Sequence, residues 1–237
     1  KEKYYQFSLN TLLEVYVKER EWRKAVETAT ELEKISGVSF RIPISHFFCE
    51  IAVTQILNKK YTLAKKSLER ALEESKNCTR ANILLGDIHS EEKLYEEAIV
   101  FWKKIEFQQP EYLGLVAPKI IVAFQTLNKI NEGLSTLARF FDIYKLKSLL
   151  NVLYETVLAN EGPKQAENIA RKELIQRPSL SALDQLFQAQ AIGKTNKIGN
   201  LELIQQTIKN TIGDRRFFMC KQCGFKARQF HWQCPAC

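Results

Sequence analysis

The residues best suited to chemistry are four cysteines at the end of the chain. Cys220 and Cys223 form one Cys-x-x-Cys pair, and Cys234 and Cys237 form a second pair after ten intervening residues. A short loop lets both sulfurs of a pair face the same ion, and Gly224 frees the backbone to turn behind the first pair. Four thiolates make a closed tetrahedral set that suits Zn²⁺ or iron. The spacing therefore predicts a four-cysteine metal site, but it does not separate zinc from iron.

Other uses of these cysteines remain as alternatives. Thiol–disulfide exchange favours a Cys-x-x-Cys at the start of a helix after a strand, and neither pair has that context. Electron transfer through an iron–tetrathiolate centre stays open, although no feature of the sequence names a redox partner. Nearby cations could offset the negative charge of four thiolates around a divalent ion, or could form a nucleic-acid patch; they are Arg215, Arg216, Lys221, Lys226 and Arg228.

Residues 214–237, which we call the metal knuckle, are too few to fold around a core of their own. Metal binding supplies about 10–16 kcal/mol in zinc-finger peptides and can provide the folding free energy. His231 is expected to lie beside the ion or at the surface without binding the ion, because four sulfurs already complete a tetrahedron. The aromatic side chains still need cover, so we expect the knuckle to rest on the preceding helices; these aromatics are Phe217, Phe218, Phe225, Phe230 and Trp232.

The elements that must position the knuckle are helices, because apolar residues recur at spacings of three and four almost throughout. The clearest unit runs from residue 79 to Pro110, with a small residue, Ala98, in its second helix. Two antiparallel helices approach closely only where one side chain is small. Small residues recur at intervals of 39, 34, 35 and 33 residues; they are Ala25, Ala64, Ala98, Gly133 and Ala166.

Composition limits the class of protein. The chain has 237 residues, 45% of them hydrophobic, and a net charge of +8. Its lysines and arginines sit beside glutamates, as on solvated helix faces, and not in one basic stripe. No apolar run reaches the length of about 20 residues that spans a bilayer. We expect the chain to be part of a longer protein whose start could hold a membrane anchor.

No motif indicates an enzyme. The sequence has neither a Gly-rich phosphate loop nor an HExxH zinc-protease motif. His46 and His89 lie in helical patterns and are expected to be packing or surface residues. A metal bound by four cysteines offers no open position for water or substrate. Cys49 and Cys78 stand alone in helical pattern, and with the paired cysteines they favour metal binding over disulfides.

The repeat pattern resembles the tetratricopeptide repeat family over roughly residues 6–178. We therefore expect an all-α fold, a tetratricopeptide-repeat superhelical solenoid over residues 1–213 followed by a rubredoxin-like knuckle over residues 214–237. The last helical pair, residues 179–213, is degenerate, with residues 201–210 as its second helix and Gly213 as its stop. The resemblance implies a concave groove that binds proteins, lined by Asn10, Glu14, His46, Cys49, Arg80, Ile83, Asp87, Asn151 and Glu155. Packing between helices remains an alternative for Cys49 and Ile83.

Repeats followed directly by this knuckle resemble the bacterial lipopolysaccharide assembly protein B family. The residues that carry the resemblance are Cys220, Cys223, Gly224, Phe225, Trp232, Cys234, Pro235 and Cys237. The resemblance implies an adaptor anchored at the cytoplasmic face of the inner membrane. It also implies that the adaptor promotes proteolysis, by a membrane-bound AAA+ metalloprotease, of the deacetylase that commits precursor to lipid A.

Further partners that the resemblance implies are other lipopolysaccharide assembly factors, and a homodimer is left open. Two other functions remain as alternatives. One is a generic protein-binding repeat scaffold with a structural zinc, because repeat architecture does not identify its ligand. The other is a nucleic-acid-binding zinc ribbon on a helical scaffold, whose affinity would fall steeply with salt.

Overall fold

The computed structural model describes residues 2–193, 208 and 218–237. The chain divides into two compact units, Lys1–Leu149 and Leu150–Cys237. Twelve α-helices are described before residue 194, with a 3₁₀ turn at Pro110–Tyr112 after the seventh. They are α1 Glu2–Lys18, α2 Trp22–Ser36, α3 Arg41–Leu57, α4 Tyr61–Glu74, α5 Thr79–Glu91, α6 Tyr95–Lys103, α7 Ile105–Gln108, α8 Leu113–Thr126, α9 Ile130–Tyr144, α10 Lys147–Asn160, α11 Pro163–Gln176 and α12 Leu180–Gly193.

Successive helices of the first unit pack as pairs, and each of these pairs packs on the next within that unit. In the first unit the pairs are α1 with α2, α3 with α4, α5 with α6, and α8 with α9. Helix α2 also packs on α3, α4 on α5, and α6 on α8. In the second unit α11 packs on α12, and the Tyr154 hydroxyl of α10 donates a hydrogen bond to the Gln185 carbonyl oxygen at 2.7 Å. The predicted helical-repeat fold is thus confirmed.

The small residues predicted to let the paired helices approach are all buried. Ala25, Ala64, Ala98 and Ala166 have no exposed surface. A Cβ added to Gly133 would lie 3.0 Å from the Cβ of Phe124 on the partner helix α8. Each position is therefore a point of close helix contact, as the repeat spacing predicts.

The four helical hairpins of the first unit have turns of the same conformation. The second residue after the first helix is left-handed in each, and a Schellman pair of hydrogen bonds closes the helix end. After α3, for example, the Lys59 N–H donates to the Ile56 oxygen and the Lys60 N–H donates to the Gln55 oxygen, both at 2.8 Å. The left-handed residues are Arg20, Lys59, Lys93 and Asn128. The identical turn accounts for the regular spacing of the helix pairs.

Helices α5 and α6 approach most closely where Gly86 faces Trp102. The indole is almost completely buried, at 1% exposed, and its N–H lies 3.1 Å from Oδ1 of Asp87. A Cβ on residue 86 would lie 2.4 Å from the indole nitrogen and 2.5 Å from the adjacent ring carbon. Only glycine fits at position 86 without a clash, because any larger side chain would overlap the buried Trp102 ring.

We expect Gly86→Ala to destabilise the first unit by about 1–3 kcal/mol, the usual cost of overpacking a filled core. The urea midpoint, followed by far-ultraviolet circular dichroism, measures the change. Trp102→Leu is the matched background because it removes the ring that the new methyl group would meet. The explanation is wrong if Gly86→Ala costs as much in that background as in the wild type.

Part of the predicted organisation lies outside the described residues. Helix α12 is the first helix of the degenerate pair, but of its predicted partner, residues 201–210, only Ile208 is described, as helical and buried. Gly213 and the predicted boundary between residues 213 and 214 also lie outside, so that boundary stays a prediction. Among the described residues, no helix is both long enough and apolar enough to cross a membrane.

Candidate metal centre

The four cysteine sulfurs converge on one point. The Sγ atoms of Cys220 and Cys237 are 3.8 Å apart, and those of Cys223 and Cys234 are 3.6 Å apart. All four lie within 4.8 Å of one another. A tetrahedron with metal–sulfur bonds of about 2.3 Å has edges of about 3.8 Å. The sulfurs therefore have the spacing to hold one tetrahedral ion.

A short hairpin presents the first cysteine pair. Strand β1, Phe218–Met219, pairs antiparallel with β2, Lys226–Ala227. Between them, the Cys220 N–H donates to the Phe225 oxygen at 2.8 Å and the Gly224 N–H donates to the Cys220 oxygen at 2.9 Å. Gly224 has a φ of +76°, a conformation that glycine adopts without steric cost. The glycine predicted to turn the chain behind the first pair does so.

Backbone amides favour the thiolate form of Cys220. The N–H groups of Cys223 and Gln222 donate to its sulfur and lower its pKa to about 6. The pKa of Cys237 moves the other way, to about 12, chiefly because it shares hydrogen bonds with the sulfurs of Cys223 and Cys234. Four thiolates this close repel one another, and a divalent cation would relieve that repulsion.

Positive side chains accompany the sulfurs. Lys221, Lys226 and Arg228 are exposed and lie within the same short segment. Four thiolates around a divalent ion carry a net charge of −2, which these cations can offset. Arg215 and Arg216, predicted to contribute in the same way, lie outside the described residues.

Aromatic rings fill the space beside the cluster. Phe230 packs edge-on against Phe218 at 5.6 Å and against Trp232 at 5.0 Å. These rings, with Phe225, border an open cavity of about 230 Å³. His231 also borders that cavity and is not one of the four clustered ligands. That His231 does not bind the ion stays a prediction.

Part of the knuckle's apolar surface remains exposed. Phe218 is 47% exposed, Met219 61% and Phe225 38%. Phe217 lies outside the described residues. The prediction that the preceding helices cover these aromatics stays a prediction.

The residues predicted to line a protein-binding groove differ in exposure. Asn10, Glu14, His46 and Glu155 are exposed, Asp87 and Asn151 are half-buried, and Cys49, Arg80 and Ile83 are buried. Their role in binding a partner stays a prediction. The exposed members are the ones that a partner could contact directly.

The less exposed members of this set have partners within the protein that sequence reasoning missed. Arg80 forms an ion pair with Glu50 at 2.6 Å. Both oxygens of Asp87 accept hydrogen bonds from the Lys119 ammonium at 2.7 Å. The Asn151 oxygen accepts one from the Gln185 amide at 2.9 Å. Each partner is about 30 residues away in sequence. Neither the charge of a residue nor its position in the repeat predicts which distant residue it will contact.

Known proteins resemble the chain over nearly its whole length. No family model matches it. "Lipopolysaccharide assembly protein B" of Haemophilus influenzae is 26% identical over 233 residues, which are 97% of this chain and 58% of that protein. The protein of the same name from Escherichia coli K12 is 22% identical over 232 residues, 97% of this chain and 60% of that protein. The predicted resemblance is confirmed, and the chain spans about three fifths of the length of these relatives.

Two solved structures from bacteria have a similar arrangement of helices. The structure of PilF from Pseudomonas aeruginosa is 12% identical and has a TM-score of 0.49, covering 89% of this chain and 91% of that chain. A tetratricopeptide repeat protein from Parabacteroides merdae is 11% identical and has a TM-score of 0.47, covering 88% of this chain and 87% of that chain.

Proposed function

We propose that this chain is the repeat and metal-binding part of a non-enzymatic adaptor in lipopolysaccharide assembly. The observation that carries the proposal is the similarity over 97% of the chain to relatives named for that process. Paired helices and a four-cysteine cluster fit a protein that binds other proteins. Four sulfurs around one ion leave no coordination position for a substrate, which supports an adaptor over a metalloenzyme.

The adaptor would control the first committed step towards lipid A. On this proposal it brings the deacetylase of that step to a membrane-bound AAA+ metalloprotease and so promotes its proteolysis. It would act at the cytoplasmic face of the inner membrane, held there by an N-terminal anchor. Such an adaptor needs one surface for each protein, and the exposed first-helix residues and the metal knuckle are two separate candidates.

Glu14 and His46 are two of the exposed candidate contacts in the first unit. Both are exposed and occupy first helices, α1 and α3. Lys66 and Glu69 are exposed on α4, the second helix of its pair. In tetratricopeptide repeats the first helices line the binding surface, so the two sets should differ in effect although both are exposed and each contains one glutamate.

The test is the half-life of the deacetylase in the source bacterium after protein synthesis is stopped. Deleting the gene for the full-length protein should lengthen that half-life, and restoring the wild-type gene should shorten it again. The double variant Glu14→Ala, His46→Ala should shorten the half-life only partly, because truncating contact residues weakens binding by about fivefold or more. The double variant Lys66→Ala, Glu69→Ala should shorten it as much as the wild-type gene does.

Two results would count against the proposal. An unchanged half-life in the deletion strain rules out control by proteolysis. Equal restoration by the two double variants rules out the first-helix surface as the contact. Immunoblots of each variant must show equal protein levels, so that a loss of stability is not mistaken for a loss of binding.

A further inference from the structure

Two cysteines outside the metal knuckle are in direct contact. The sulfurs of Cys49, in α3, and Cys78, immediately before α5, are 3.7 Å apart. Cys49 is completely buried and Cys78 is 5% exposed. They lie in the apolar cluster that joins the second and third helix pairs, beside residues such as Leu68 and Ala81. Their contact is not needed for the repeat fold, since any small apolar pair could fill the same space.

The surroundings of the two sulfurs are unequal. Cys78 occupies the N-cap position of α5, and Ser45 and His46 lie near its sulfur. With the Cys49 thiol as the largest contributor, these groups lower the pKa of Cys78 to about 6. The pKa of Cys49 is raised, first by its hydrogen bond with Cys78 and then by burial. A position at a helix N-terminus lowers the pKa of a thiol, and a second thiol in contact can resolve an oxidised sulfur into a disulfide.

The two helices are already held at a fixed separation beside the sulfurs. Glu50 follows Cys49, Arg80 lies two residues after Cys78, and their side chains form an ion pair at 2.6 Å. Both side chains are largely buried, at 14% and 7% exposed. Forming a disulfide would shorten the sulfur separation from 3.7 Å to about 2.05 Å. Side-chain rotation can supply much of that movement while the ion pair holds the helices.

We propose that Cys78 is a site of oxidation by hydrogen peroxide and that Cys49 resolves it into a disulfide. The Cys78 thiolate attacks one peroxide oxygen, the O–O bond breaks, and the departing hydroxide takes up a proton as water. The Cys49 sulfur then attacks the resulting sulfenic acid, the S–O bond breaks, and the hydroxyl leaves with the Cys49 proton as water. Two thiols lose two electrons in total, and one peroxide becomes two waters.

The disulfide would tie α3 to the start of α5. These are the helices that carry His46 and Arg80, two of the predicted partner-binding residues. Oxidation would therefore add a covalent link between two neighbouring first helices, and a small dithiol reductant would remove that link. Burial keeps larger oxidants away from the pair, which is why peroxide, a small molecule, is the expected reagent.

Peptide mapping of the zinc-loaded protein tests the proposal. The protein is treated with peroxide, unfolded in a denaturant that contains an alkylating reagent for free thiols, and digested with trypsin. The expected product is one cross-linked species joining peptides 42–59 and 77–80, lighter by two hydrogens than the two peptides together, and lost on reduction with dithiothreitol. Before digestion, the thermal midpoint of the oxidised protein should be higher by about 5 °C or more than that of the reduced protein.

Single variants identify the attacking sulfur. In Cys49→Ser, Cys78 should accumulate as a sulfenic acid that dimedone traps, whereas Cys78→Ser should lower the oxidation rate of Cys49 by about tenfold or more. Equal rates in the two variants would overturn the assignment of Cys78. Complete alkylation of both cysteines in peroxide-treated wild type would overturn the proposal itself, and this wild-type measurement holds even if a variant fails to fold.

Discussion

Replacing Cys220 and Cys223 with serine is expected to abolish stoichiometric metal binding and to unfold residues 218–237. Two of the four sulfurs that lie within 4.8 Å of one another would be lost. The remaining structure of the segment is one two-residue strand pair and a few aromatic contacts. That is too little to fold it without the roughly 10–16 kcal/mol that metal binding supplies in comparable peptides. Helices before residue 194 should persist, because their core is built independently of these sulfurs.

Elemental analysis of freshly purified protein for zinc and iron measures the first effect, and limited proteolysis of the terminal segment measures the second. Gln222→Ser is the matched control, since it changes the exposed residue between the same two cysteines and leaves all four sulfurs. Prolonged chelation of the wild type should reproduce the double variant. Metal content near one ion per chain in the double variant would show that these cysteines do not hold the ion.

The terminal cluster was predictable because the spacing of its ligands is local. A Cys-x-x-Cys loop brings two sulfurs together in almost any fold, and the glycine after Cys223 indicates the turn. Ten residues separate the two pairs, so the second pair needs only a short loop to lie beside the first. Which metal it takes is a different matter, since four sulfurs suit zinc and iron alike.

The helix pairs were predictable for a similar reason. The small residues Ala98 and Gly133 mark places where two helices touch, and the same requirement recurs in each pair. The hairpin turns were less predictable, because Lys59 and Lys93 adopt a left-handed conformation that usually indicates glycine or asparagine. Pro118 lies inside α8, where the sequence alone would suggest an end to the helix.

Long-range side-chain partners could not be predicted. Cys49 and Cys78 are separated by a whole helix, and each reads as an ordinary core residue in its own helical pattern. The same holds for Glu106, whose carboxylate is buried although glutamate is usually exposed. Its partner, Arg139, lies 33 residues away in the next helix pair. Periodicity places each residue on a helix face but does not say which charges on neighbouring pairs meet.

Because the Glu106 carboxylate is buried, we expect Arg139→Met to destabilise the first unit strongly. The Glu106 side chain is 5% exposed, and its two oxygens accept hydrogen bonds from the Arg139 guanidinium at 2.5 and 2.7 Å. Methionine keeps much of the aliphatic stem but leaves the buried carboxylate without this partner. Breaking a buried pair in this way costs about 3 kcal/mol. The urea midpoint of the first unit, measured at neutral pH, should fall accordingly.

The exposed pair of Arg70 and Glu73 supplies the matched control, because both side chains are more than 60% exposed. Arg70→Met should therefore change the free energy of unfolding by less than about 0.5 kcal/mol. Adding Glu106→Gln to Arg139→Met should recover part of the loss, since a neutral amide is less costly to bury than a carboxylate. Equal effects of Arg139→Met and Arg70→Met would mean that the Glu106 carboxylate reaches water, and the pair would then contribute no more than an ordinary surface ion pair.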